Sequence, residues 1–109
     1  MEKLFEQQVK RLQEHHFLIL YWAALAEDKG LRYNITNAFD DLKFQGVTRT
    51  KQTAVAYIEA LDVLNFIELK DESNRKNIYI TDYGAEALAK LVEDKNFKTR
   101  KSGYLEVSR

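Results

Sequence analysis

With 109 residues, 45% apolar and 31% charged, the chain has the composition of one folded domain, not of a disordered segment. It contains no cysteine, which excludes disulfides and thiolate metal sites and suits a reducing compartment. Its 17 bases balance 17 acids, so attraction to nucleic acid has to come from a local patch and not from the global field.

Residues 2–28 contain neither Pro nor Gly and read as one long helix. Phe5, Val9, Leu12, His16, Ile19, Ala23 and Ala26 recur at alternating steps of four and three, the spacing of a coiled-coil seam. From Phe17 the helix is apolar nearly all round and must be covered on every side. It is therefore expected to pack on its own domain and also on a second subunit. Phe5, Val9, Leu12, His16 and Ile19 would form the interface of a homodimer. The competing readings are a single core helix in a monomer and a break near His15-His16. His16 in the seam suits a packed interface histidine, and neighbouring His15 and His16 cannot face one metal ion from a helix. The run Phe17–Ala26 is too short to span a bilayer, and Glu2 and Glu6 stand where a secretory signal would be basic. A cytoplasmic protein with no membrane contact is expected.

Gly30 ends the helix. Leu31–Asn34 is short enough for a small edge strand, and Asn34 can cap a second helix over about residues 35–43, with Ile35, Ala38, Phe39 and Leu42 on one face. Asp40 and Asp41 fall near its C-terminal end, where the helix dipole disfavours acids; solubility or a partner contact is their only evident use. Lys43–Val47 forms a turn in which Gly46 supplies backbone freedom and Val47 can plug the core. Thr48 or Thr50 can cap a third helix with Ala54, Ile58 and Leu61 inward and Val55 and Leu64 widening the stripe. Asn65 suits the left-handed residue at its end. The period then becomes two. Phe66–Lys70 and Asn77–Thr81 read as strands, and polar Asp71–Lys76 as the loop of a hairpin. Thr81 caps a last helix over about residues 82–95, with Tyr83, Ala87, Leu88, Leu91 and Val92 on its apolar face. Residues 96–109 lose periodicity. They read as a frayed tail, a basic arm, or a segment that Phe97, Tyr104 and Leu105 dock on a partner.

Helix, turn with Gly, second helix and hairpin is the order of a winged helix-turn-helix. The expected fold is α+β, mainly α. It has a two- or three-stranded antiparallel wing sheet, a long N-terminal helix, one domain over 1–95 and a basic tail over 96–109. Between Lys43 and Ile58 the charges are Lys43, Arg49 and Lys51 with no acid, whereas acids gather at Glu27-Asp28, Asp40-Asp41 and Glu93-Asp94. Between Lys95 and Arg109, Lys95, Lys98, Arg100, Lys101 and Arg109 outnumber Glu106.

The stretch Asn74–Gly84 resembles the wing and following helix start of the multiple-antibiotic-resistance regulator (MarR) family, in Arg75, Ile78, Ile80, Thr81 and Gly84. Thr53–Ile67 resembles the recognition helix and its exit in that family and in related winged-helix repressors. Asn65 stands where those helices usually have Gly, and Ser73 where an acid usually precedes the wing Arg. There is no room for long C-terminal dimerisation helices, and compact staphylococcal accessory-type regulators are as close in size. The similarity covers about residues 31–92. It implies a dimeric transcriptional regulator on double-stranded DNA. The recognition helix would start at Arg49, Thr50, Lys51, Gln52 and Thr53, and the wing tip would be Asn74, Arg75 and Lys76.

The residue chemistry agrees. Gln52 can bond bidentately to adenine and Lys51 to guanine or phosphate, while Val55 or Ala56 can lie on a thymine methyl. Arg49, Thr50 and Thr53 suit phosphates at a helix start. Glu59 would meet phosphates if the whole helix lay in the groove, so only its N-terminal half is expected to enter. Glu59 and the zero net charge favour a second reading: a winged-helix protein-interaction or DNA-partition or replication module without regulatory activity. No enzyme is expected, since the chain lacks a Gly-x-Ser-x-Gly motif and a phosphate-cradling glycine loop. No cofactor or metal is implied, and a small-molecule effector is left open.

Overall fold

The unbroken run from Glu2 to Asp28 folds as two helices. A computed structural model describes residues 2–95 and 97–106, and in it α1 spans Glu2–Arg11 and α2 Glu14–Asp28. The break falls at Leu12-Gln13, upstream of His15-His16. Gln13 adopts extended backbone (φ −114°, ψ −177°), and its N–H donates to His16 Nδ1 at 3.0 Å. His16 thus caps the start of α2 by the side chain that usually belongs to Glu or Gln at this position. The ring expected at a subunit interface is thus bonded within its own chain, with its remaining surface half-exposed. An Nδ1 that accepts a hydrogen bond must be unprotonated. Burial, reinforced by neighbouring His15, lowers the His16 pKa to about 4.

The seam is also spent inside the chain. Val9, Leu12 and Ile19 are 4%, 2% and 0% exposed, so they have no surface to offer a second subunit. Phe5 is half-buried edge-on against Tyr83, at 5.0 Å between ring centroids. Helix α2 is indeed covered on all sides, as its apolar circumference demands, but the cover is intramolecular. Part of it comes from the C-terminal segment. Phe97 packs on Phe17 at 5.6 Å, and Trp22 Nε1 donates to the Arg100 carbonyl at 2.8 Å. Residues 97–106 are a strap ending in the short helix α6 (Gly103–Glu106), with Ser102 and Leu105 fully buried. They are neither a frayed tail nor a free basic arm. Arg109 lies outside the described residues.

Between α2 and the strap, α3 (Ile35–Phe44) is capped by Asn34, whose Oδ1 accepts the Asn37 N–H at 2.8 Å. Asp41 on α3 is 2% exposed, which corrects the reading of this residue as a solubilising charge. It accepts hydrogen bonds from the Tyr33 hydroxyl (2.5 Å), the Ser102 hydroxyl and the Tyr104 N–H (3.3 Å). A buried carboxylate needs such donors to offset its lost hydration. Burial and the Asp41 charge push the Tyr33 hydroxyl far above its ordinary pKa, so it remains a donor.

Gly46, at φ +74°, turns the chain into α4 (Lys51–Val63). Ala54, Ile58 and Leu61 are fully buried, Val55 and Leu64 half-buried, and Asn65 ends the helix at φ +65°. The hairpin is tighter than expected. Strands β1 (Ile67–Glu72) and β2 (Arg75–Ile80) are antiparallel, with Glu72 opposite Arg75, so only Ser73 and Asn74 form the turn. Both have positive φ (52° and 65°), the two-residue turn whose twist matches that of paired strands. Ile67, Leu69, Ile78 and Ile80 share the inward face. The third strand reduces to one bridge, Asn34 to Asn77, beside a 2.7 Å bond from the Ile78 N–H to the Tyr33 carbonyl.

Thr81 caps α5 (Asp82–Asp94) by accepting the Gly84 N–H at 2.9 Å. Ala87 and Leu91 are buried, but Val92 is 51% exposed, since one step past Leu91 turns it off the packed face. Gly84 is where α5 crosses the start of the hairpin. A Cβ there would sit 1.9 Å from the Phe66 carbonyl oxygen. The fold is α+β and mostly helical, with a two-stranded antiparallel sheet, and no helix among the described residues is long and apolar enough to cross a membrane.

Gly84→Ala is expected to lower stability by about 3 kcal/mol in urea unfolding, because backbone must move to admit the methyl group. The His16 cap predicts a pH dependence. The His16 pKa is about 4 in the folded chain and 6.5 when unperturbed, so in that interval the unfolded chain binds the extra proton. The contribution is complete above pH 6.5 and is lost as pH falls toward 4. His16→Gln keeps an acceptor for the Gln13 N–H, so unfolding midpoints should fall less steeply over this interval in the variant than in the parent.

Candidate nucleic-acid interface

The start of α4 is built by threonines. Thr48 is buried and donates its hydroxyl to the Thr50 carbonyl at 3.3 Å. Thr50, in extended backbone, is the cap: its Oγ1 accepts the Thr53 N–H at 3.2 Å and lies 2.8 Å from the Thr53 Oγ1. The Thr50 and Thr53 hydroxyls are therefore engaged with each other, and the bond between them uses one of their two protons, so one hydroxyl keeps a donor toward solvent. Arg49, Lys51 and Gln52 are exposed around this cap, Thr53 half-exposed. Ala56 and Glu59 continue the exposed side of α4, opposite Ala54, Ile58 and Leu61.

Lys51 Nζ donates to Thr36 Oγ1 at 3.2 Å, which ties the first turns of α3 and α4 together. The two helix starts and the hairpin tip border one open groove of about 370 Å³. Lys51 and Val55 line it from α4, Ile35 and Thr36 from α3, and Arg75 and Lys76 from the hairpin, with Asn74 at the rim. Gln52 stands exposed on α4 beside this groove and does not line it. Three segments separate in sequence thus meet at one surface, helped by the bridge that joins Asn34 to Asn77.

Four exposed cations, Arg49, Lys51, Arg75 and Lys76, stand at or beside the groove, with Asp71 opposite Lys76 across the hairpin as a neighbouring acid. Among the described residues the ion pairs are Lys70–Glu68, Lys90–Asp94 and Arg100–Glu14, so Arg49, Lys51, Arg75 and Lys76 carry no carboxylate partner. Glu72 is turned away to its own strand neighbours. It accepts hydrogen bonds from the Asn77 amide (2.7 Å) and the Tyr79 hydroxyl (2.6 Å), and these bonds, that of Tyr79 foremost, lower its pKa. Sequence reasoning missed Thr36 and Asn34, which complete the groove. Their only signal was position at the start of the helix before α4.

A larger groove, about 430 Å³, lies between α1 and the C-terminal half of α4. Leu4, Leu12, Ala60 and Leu64 give it an apolar floor, His16 and Arg11 part of its rim. Leu4 and Val63, 55% and 77% exposed, are apolar groups left on the surface of these two helices. Tyr57 of α4 stacks on His15 at 3.7 Å and meets His16 edge-on, joining α4 to the α1–α2 elbow.

No protein-family model, curated protein or solved structure matches the chain.

Because Thr50 supplies the cap of α4, Thr50→Ala should cost about 1 kcal/mol in chemical denaturation and Thr50→Ser much less.

Proposed function

We propose that this protein is a winged helix-turn-helix regulator of transcription, cytoplasmic and of the kind the MarR resemblance implies, that binds double-stranded DNA sequence-specifically as a homodimer. One observation carries the reading: the first turn of α4 and the tip of the hairpin border a single groove, and the cations on it have no carboxylate partner among the described residues. A helix start and a basic hairpin side by side are what a winged helix needs to fill a major groove and hold the flanking backbone. In this reading Gln52 reaches a base edge, Val55 and Ala56 offer apolar contact to thymine methyls, and Arg49, Lys51, Arg75 and Lys76 bond phosphates. Thr50 and Thr53 shape the helix start. Glu59 keeps the C-terminal half of α4 out of the groove.

Two copies would address half-sites about 34 Å apart. With Val9, Leu12 and Ile19 in the core, the contact between copies falls to exposed apolar groups such as Leu4 and Val63. The groove between α1 and α4 favours a second reading, in which the same chain is a protein-interaction module of a partition or replication assembly.

Selection from a random duplex pool at rising salt tests the first reading. A defined sequence should be retained, and Gln52→Ala should reduce discrimination at one base pair by about 1–3 kcal/mol. Lys51→Ala should weaken binding and flatten its salt dependence by about one ion. Retention of no sequence, with both variants indistinguishable from the parent, contradicts the DNA reading and favours the interaction module.

A further inference from the structure

We propose that the duplex contact continues onto the outer side of the hairpin, where Arg32 and Arg75 hold a backbone phosphate between them. The inference rests on the DNA-binding reading and adds to it a residue on neither α4 nor the hairpin. Arg32 is exposed, but its backbone is fixed by its neighbours Tyr33 and Asn34. The Tyr33 carbonyl accepts the Ile78 N–H at 2.7 Å, and Asn34 is bridged to Asn77. Arg32 is thereby held beside β2, across the hairpin from α4.

There a second groove, of about 290 Å³, is lined by Arg32, Asn37, Ser73 and Arg75, with Glu72 and Asn77 along the hairpin side. Arg75 borders both grooves, so a backbone that crosses the hairpin tip from the α4 side comes next to Arg32. Neither guanidinium lies within ion-pair distance of a carboxylate among the described residues. The groove has one carboxylate, Glu72, which its bonds from Tyr79 and Asn77 tether to the strands and keep ionised, and the two guanidinium groups outnumber its single charge. Arg32 and Glu72 line the same groove. Two planar guanidinium forks with open donors on a polar groove match a phosphate, which each can bond bidentately. Asn37 and Ser73 add neutral donors at its edge. The contact would set affinity and register and carry no base information.

The test is fluorescence anisotropy on the selected duplex and on a scrambled duplex, across a potassium chloride series, with the full chain and Arg32→Ala, Arg32→Lys, Arg75→Ala and Lys51→Ala. Arg32→Ala should weaken binding to both duplexes by a similar factor, on the order of tenfold, and reduce the slope of log K against log salt by about one. Arg32→Lys should restore the slope, and Arg32→Ala with Arg75→Ala should cost less than the two single losses combined, because one phosphate is shared. A slope unchanged by Arg32→Ala but reduced by Lys51→Ala overturns this proposal and leaves the DNA reading standing. Unchanged binding in all the variants overturns both.

Discussion

Tyr33 is the residue on which the candidate surface depends. Its carbonyl takes the Ile78 N–H of the hairpin, and its hydroxyl donates to Asp41 on α3. One residue therefore fixes the hairpin against α3, and α3 is packed on α4. Asp41 extends the joint by accepting the Ser102 hydroxyl and the Tyr104 N–H of the strap. The carboxylate is buried, so removing any of its donors would leave a charge poorly compensated. A bonded joint of this kind suits a surface that must keep a helix start and a hairpin tip at a fixed separation.

The strap changes the meaning of the long apolar helix. Phe17, Leu18, Ile19, Leu20, Trp22 and Ala23 are all fully buried, so α2 does need cover on every side. Its sequence alone suggests that a second subunit provides part of that cover. In the structure the chain supplies it, by folding residues 97–106 back over α2 and α3. Arg100 illustrates the shift from arm to strap. Its guanidinium bonds the Gln45 carbonyl at 3.2 Å and Glu14 at 3.3 Å, so its charge is spent in holding the fold together.

Much of the fold is legible in the sequence because its signals are local. The buried stripe Ala54, Ile58 and Leu61 shows in helical spacing, and the caps Asn34 and Thr81 show in residue type next to an apolar run. Asn65 at the end of α4 is read the same way. The Thr81-to-Gly84 spacing shows through a family resemblance, and its physical reason is the close approach of α5 to Phe66. The features that escape the sequence depend on partners far along the chain. Asp41 looks like a surface acid until Tyr33 and Ser102 arrive, and nothing near it announces them. The elbow at Leu12-Gln13 is legible only as an alternative, a break near His15-His16, because a histidine performs the cap usually made by Glu or Gln. Of the candidate site, the residue types are legible, but not the engagement of Thr50 with Thr53 nor the share that Thr36 and Arg32 take in the surface.

We propose one duplex-binding face made of the α4 start and the hairpin tip. Its most direct test is a titration of the isotope-labelled protein with a short duplex, followed through backbone amide resonances. Shifts should concentrate in residues 49–56 and 73–76, with smaller ones at 32–37 and quiet signals along α1 and α5. Shifts confined to α1 and the C-terminal half of α4, or shifts in the hairpin without any in α4, would contradict it.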